Sequence, residues 1–483
     1  MRALLTGIVS FAATSAAGLL LIWLWLTGGV GHELQLRVPG TDRPAGLTGQ
    51  AVPTKVEGKL ETFDVQPVDF PGEWPGFRGA NRDGVSSDLT ELARSWPEGG
   101  PPVLWSIKVG EGHAGAAVLN GRVYVHDYDM AQRREVIRCL SLADGKDIWR
   151  YSYRVVIKRT HGVSRTIPAV TEKYLVALGP KCHVTCLDAK TGKLRWAIDL
   201  VREYGSRVPP WYGAQCPLIE NDRAILAPGG ERVDQPDPNG MNPKGEDVLM
   251  MAVDCETGKV VWKVPNANSW KMTHSSIMPM DLDDGTRTYV YCASGGVVGV
   301  SAEDGKLLWQ TNDWKISIAN VPSPVPVGDD KVFFCGGYNA GCAMLQIVKE
   351  DRDYKPRVLF RRPASFGSEQ QTPVFYKSHL FYTRSDEQFG CLGTTGQVVW
   401  ASGADRKFGH DGGPHLIADD LIFVMNDQGV LTLLRATPES YQQLAQAKVL
   451  PGHDSWGPMA LAGGRLICRD TEHMVCLDVS KKR

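Results

Sequence analysis

Five times the chain writes a glycine, three further residues and a tryptophan. The pairs are Gly145 and Trp149, Gly192 and Trp196, Gly258 and Trp262, Gly305 and Trp309, and Gly396 and Trp400. The fullest copies, CLDAKTGKLRW ending at Trp196 and AVDCETGKVVW ending at Trp262, share one plan over eleven letters. A unit that recurs at a fixed period cannot bury its own apolar face and must stack on copies of itself. Trp149 to Trp196 is 47 residues, and so is Trp262 to Trp309. The 66 residues from Trp196 to Trp262 hold an insert at residues 227–248, and the 91 from Trp309 to Trp400 hold two units.

Each unit reads as four short strands. In the second they are IPAV, YLVALG, HVTCLD and KLRWAI, with alternating or continuous apolar residues. Gly192 closes the last hairpin by taking positive φ, and the tryptophan becomes a plate between neighbouring sheets. The same roles are expected of Gly145, Gly258, Gly305 and Gly396, and of Trp105, Trp149, Trp262, Trp309 and Trp400. One unit ends RVLF, with Phe360 in place of tryptophan. The last, from GPMALAGG to VCLDV, lacks a fourth strand, while PPVLWSIKVG around Trp105 is a fourth strand with no unit. Pairing the two closes a ring and removes the free edges. The expectation is an all-β chain forming a β-propeller of eight blades, with seven as the runner-up. The 52 glycines and 30 prolines suit such a fold of short strands and turns.

Residues 4–26 carry no charge and would form a helix of roughly 34 Å, enough to cross a bilayer. Their apolar run is too long for a secretory signal, so an uncleaved transmembrane anchor over residues 1–27 is expected. Residues 28–73, rich in Pro, Gly and Thr, read as a flexible linker spanning roughly 35 Å on average. The propeller then occupies 74–483. Its place would be the periplasmic or extracytoplasmic side of the inner membrane, on a single-pass anchor.

With 53 basic and 54 acidic residues and no basic stripe, nucleic acid is not an expected partner. Eleven cysteines cannot all pair within the chain. Cys139, Cys186, Cys391 and Cys476 recur at similar points of separate units and read as small core residues.

DAKTGKLRW and DCETGKVVW resemble the tryptophan-docking motif of the quinoprotein-like, PQQ-repeat β-propellers. EWPGFRGANRDGVS (residues 73–86) and the terminal GRLICRD and VCLDV are similar to the flanks of its membrane-associated bacterial members. The resemblance covers about 85% of the chain. It implies the fold and leaves two functions open, because the motif builds blades and does no chemistry. One is a membrane-tethered binding or scaffold module with no cofactor, whose protein partner would dock on the channel-mouth face. The other is a dehydrogenase using pyrroloquinoline quinone and calcium. The family's enzymes set a disulfide between adjacent cysteines against the quinone, and no two cysteines are adjacent here. No metal set of that family aligns with particular residues of this chain, so the metal stays unknown.

One constellation stands apart from the scaffold. His113, His274, His410 and His453 each shortly precede a first strand, where propeller loops gather round the channel. Blades seven, eight and one are neighbours, which would group His410, His453 and His113 with Asp411, Asp454 and Glu111. The group reads either as a ligand or metal pocket or as turn residues bonding local backbone. The 227–248 insert, around Asn239, is expected over the same mouth. The basic run at residues 150–165 either borders that face or is solvated.

Overall fold

The computed structural model describes residues 15–20, 23, 56–159, 161–230, 247–316, 318–409 and 411–482. The chain divides into two units, Met1–Gln50 and Ala51–Arg483. Of the expected anchor, residues 15–20 and Trp23 are helical, and the rest lies outside the described residues. Among the described residues no helix is long and apolar enough to cross a membrane.

Eight antiparallel sheets form the second unit. Blade one runs Ala116–Leu119, Arg122–Asp129, Arg134–Ser141 and Asp147–Arg154. Blade two runs Ala169–Val170, Tyr174–Leu178, His183–Asp188 and Leu194–Asp199, the four strands read from the sequence. Blades three to seven begin at Leu218, Met278, Val325, Val374 and His415. Blade eight takes three strands from the C-terminus, Ala460–Ala462, Arg465–Arg469 and His473–Asp478, and its fourth from Val103–Lys108. That last pairing sets Trp105 opposite Cys476 and closes the ring as expected.

The linker boundary at residue 73 needs correction. Lys59–Thr62 forms a fifth strand on the outer edge of blade one, in register with residues 149–152. Tyr151 donates its hydroxyl to the carbonyl of Val56 at 2.6 Å, fixing the start of this segment. Its sequence, KLET, is too short and too polar to announce a strand.

Blade-to-blade contact explains the glycine. Each docking ring lies against the turn glycine of the following blade: Trp105 on Gly145, Trp149 on Gly192, Trp196 on Gly258 and Trp262 on Gly305. A Cβ on these glycines would stand 2.6–2.9 Å from the ring, and all four have φ between 72° and 74°. The residue type is thus demanded twice, by backbone conformation and by packing. Phe360 covers Gly396 in the same way. The order breaks where blade five replaces the short hairpin with the long strands Gly341–Glu350 and Asp353–Arg362. There Trp309 packs among Val332, Phe334 and Leu345 instead. Trp400 donates Nε1–H to the carbonyl of Thr437 and meets Tyr441 edge-on.

Around the channel, the residues just ahead of the first strands are stitched blade to blade. The amide of Ile167 donates to Cys216 Sγ at 3.3 Å, Cys216 to Ser276 Oγ at 3.0 Å, Ser276 to Ser323 Oγ and Ser323 to Thr372 Oγ1, both at 2.9 Å. This girdle joins blades two to six. Blades seven, eight and one carry Gly413, Gly457 and Gly115 in this stretch and have no side chain to offer. Arg469 of blade eight, fully buried, joins blade eight to blade one: it donates to the carbonyls of Gly110 and Ala114 in blade one and of Asp470 and Thr471 in its own blade.

Candidate functional site

The channel does not run through. Residues 74–85 enter it and seal it. Trp74 pairs with Val118 of blade one, and the carbonyl of Pro75 accepts from Val170 of blade two. Arg82 reaches the carbonyls of Cys216 and Pro217 in blade three. Val85 leaves beside Ile417 of blade seven. Arg78 donates to four carbonyls, those of Arg82, Asp83, Thr372 and Pro373, at 2.6–3.0 Å. A buried guanidinium with its donors used this way fixes position and does not await a ligand.

Above this floor lies a cavity of about 290 Å³. Trp74, Phe77 and Arg78 form its base, and its wall is formed by the loops leading into the first strands and, in blade five, by the turn holding Tyr338 between the second and third strands. Blade by blade the wall presents His113, Arg165, Trp211, His274, Tyr338, Gln370, Asp411 and Trp456.

The histidines of this wall are latches between blades. His113 Nε2 donates to the carbonyl of His161 in the next blade's loop at 3.1 Å, and its ring stacks on Trp456 with centroids 4.8 Å apart. His274 Nε2 donates to the carbonyl of Pro210 at 2.8 Å. Burial pushes His113 down to about 3 and His274 to about 4, so both rings are neutral at pH 7. His415, absent from the sequence-derived set, places Nδ1 2.8 Å from the carbonyl of Gly413 and Nε2 2.9 Å from that of Phe381. Two acceptors favour a charged ring, yet burial outweighs them and holds it at about 4.

The expected constellation comes together only in part. His113, His274 and Asp411 line one cavity. His453 does not: it is exposed and pairs with its neighbour Asp454 at 3.2 Å. Its loop contributes Trp456 to the wall in its place, since Asp454 takes positive φ and turns the chain. Glu111 pairs with Arg159 at 2.6 Å. His410 and residues 231–246 of the insert, Asn239 among them, lie outside the described residues. The basic run divides, with Arg159 exposed on the surface and Arg165 in the cavity wall. Among the described residues no group of three His, Cys, Asp or Glu side chains is placed to hold one metal ion.

Trp211, Tyr338 and Trp456 were not singled out from the sequence. Each comes once, from a different blade, with no spacing in common. All eleven cysteines are free and buried. Burial raises Cys182, Cys292 and Cys391 to about 12, so they sit as apolar filling.

A family profile described as outer membrane protein assembly factor BamB matches residues 132–392. A curated relative, the dehydrogenase subunit of a quinone-dependent alcohol dehydrogenase from Gluconacetobacter polyoxogenes, is 26% identical over 238 residues. That match covers 47% of this chain and 28% of the relative, so the chain spans little more than a quarter of the relative's length. Among solved structures, BamB from Moraxella catarrhalis superposes with a TM-score of 0.53 at 15% identity, over 78% of this chain and 99% of that one. A quinohemoprotein alcohol dehydrogenase from Pseudomonas putida HK5 gives 0.46 at 11% identity, over 86% and 81%. The structural likeness is one of fold.

Proposed function

This chain belongs to the PQQ-like β-propeller family described as outer membrane protein assembly factor BamB, and from that premise we propose that it is a tethered binding propeller, not a redox enzyme. Its apolar segment at residues 4–26 would anchor it in the inner membrane, with the blades on the extracytoplasmic side. The cavity mouth would be the working face.

One observation carries this reading: the wall histidines, the groups that acid–base chemistry would use first, are already committed. His113 and His274 are held neutral and engaged by carbonyls of neighbouring blades, and Arg78 is tied into the floor. Among the described residues of the wall no nucleophile stands paired with a base, and the aromatic wall suits contact better than chemistry. Two observations speak for this reading over a quinone enzyme: the sequence lacks the adjacent-cysteine pair that the family's enzymes set against the quinone, and no three-ligand metal cluster stands among the described residues.

The test uses the full chain in detergent. Immobilised, it is expected to capture an envelope protein from its own membrane extract, and Trp211→Ala at the mouth is expected to lose that capture. The dehydrogenase reading, favoured by the 26% match, takes its place if the quinone and calcium together let the chain reduce an artificial acceptor with an alcohol.

A further inference from the structure

The cavity wall carries opposite charges on different blades. On blade two, Arg165 bonds the carbonyls of His161 and Gly162 through Nη2, at 2.7 and 3.1 Å. Its Nε is buried without a hydrogen-bond partner, and no carboxylate pairs with it among the described residues. Desolvation lowers it only to about 10, so it stays charged. The opposite sign gathers on blades seven and eight. Asp411 lines the cavity and, among the described residues, accepts a single long bond, from Gln370 at 3.3 Å. Behind it, Asp427 accepts the indole N–H of the wall residue Trp456 at 3.0 Å. Burial first, then the charges of Asp411, Asp454 and Glu387, push Asp427 up to about 6. Asp411 and Asp427 thus set negative charge on this side of the cavity. Between the two sides stand Trp211, Tyr338 and Trp456.

We propose that this cup binds a zwitterion of amino-acid or dipeptide size. Its carboxylate lies on Arg165, its ammonium group on the Asp411 side, and its apolar side chain among Trp211, Tyr338 and Trp456. The inference rests on the binding reading above and gives it a ligand class. The size follows from the 290 Å³ volume, near the lower end of ligand pockets. A guanidinium recognises a carboxylate through paired N–H donors, and a partly buried site makes such charge-assisted bonds strong. A purely anionic ligand would leave Asp411 and Asp427 repelling each other, and a purely cationic one would leave Arg165 uncompensated.

Calorimetric titration of the full chain in detergent with four probes tests this. L-Phenylalanine and glycyl-L-phenylalanine carry both charges, 3-phenylpropionate lacks the ammonium group, and 2-phenylethylamine lacks the carboxylate. The two zwitterions are expected to saturate one site, with each single-charge analogue bound about tenfold more weakly. Arg165→Gln should weaken phenylalanine by about the same factor and leave phenylethylamine unchanged, and Asp411→Asn should do the converse with phenylpropionate. A misfolded variant would weaken all four together, so the crossed pattern separates loss of a contact from loss of the fold. Equal binding of phenylpropionate and phenylalanine would make the cup an anion site and overturn the proposal. So would saturable binding of the quinone alone, or of none of the four probes. If the probes fail while partner capture persists, the zwitterion inference falls and the binding reading stands. If capture fails while phenylalanine binds, the scaffold part of that reading falls alone.

Discussion

Blades two to six and blades seven, eight and one solve one problem differently. Both arcs must hold eight first strands around a narrow channel. The first arc does it with side chains, in the run of amide donors to Cys216, Ser276, Ser323 and Thr372. The second arc removes side chains at Gly115, Gly413 and Gly457 and brings backbones close. A Cβ on Gly115 would stand 2.4 Å from the carbonyl of Pro458. Blade eight is then fastened to blade one by a single cation, Arg469, and to blade seven by bonds from Trp456 Nε1 and the Ser455 amide to Asp427. Distributed fastening tolerates the loss of a member, whereas a single fastener does not. The arc with the single fastener is also where the chain's two ends meet.

The largest effect separating the arcs is closure itself. Deleting Val103–Lys108 leaves His473–Asp478 as an open edge and is expected to give an aggregating product in size-exclusion chromatography. A monomer that melts cooperatively at the parent temperature would break the comparison at its root.

Acid comes second, because two of the three buried neutral histidines, His113 and His415, lie in the closing arc. Their folded values of about 3 and 4, with His274 at about 4, stand below the ordinary 6.5. The unfolded chain therefore takes up protons that the fold refuses. This stability is complete above pH 6.5 and is lost as pH falls towards 4, at about 1.4 kcal/mol per pH unit for each ring. Asp427 opposes it: raised to about 6, it destabilises above that pH and is relieved below it. Three groups against one predict a denaturant midpoint clearly lower at pH 4.5 than at pH 7. An unchanged midpoint would mean that the rings are not held neutral.

Arg469→Met should cost about 3–5 kcal/mol in denaturant unfolding, because four carbonyls lose their donor in a buried setting. Ser323→Ala in the other arc should cost about 1–2 kcal/mol, since one amide loses its acceptor while the rest of the girdle stays intact. Equal losses from these two substitutions would erase the distinction between the arcs.

The sequence displayed what repeats and hid what does not. The blades, their glycine–tryptophan contacts and the closing strand around Trp105 were all legible, because one physical need is written several times in one spelling. The girdle was hidden because the need is met by Cys, Ser, Ser and Thr, in loops brought together only by the fold. The plug was visible as a stretch resembling what precedes related propellers, but nothing in EWPGFRGANRDGVS says that Arg78 will bond residues nearly three hundred positions away. The site was legible in His113, His274, Asp411 and the basic run ending at Arg165, and of these the two histidines became latches. Trp211 and Trp456 each appear in a single unit, so no comparison between units could raise them.

The plug also sets an order in time. Residues 74–85 leave the ribosome before any first strand exists to receive them, and Val103–Lys108 waits for His473–Asp478, made after all the other blades. Contacts of such sequence separation form late and slowly. Until His473–Asp478 is made, then, the strand holding Trp105 stays unpaired, and the plug lacks its partner Ile417 until blade seven is made. A nascent chain arrested before His473 would expose the unpaired strand around Trp105, and would be a natural substrate for whatever holds unfolded chains apart.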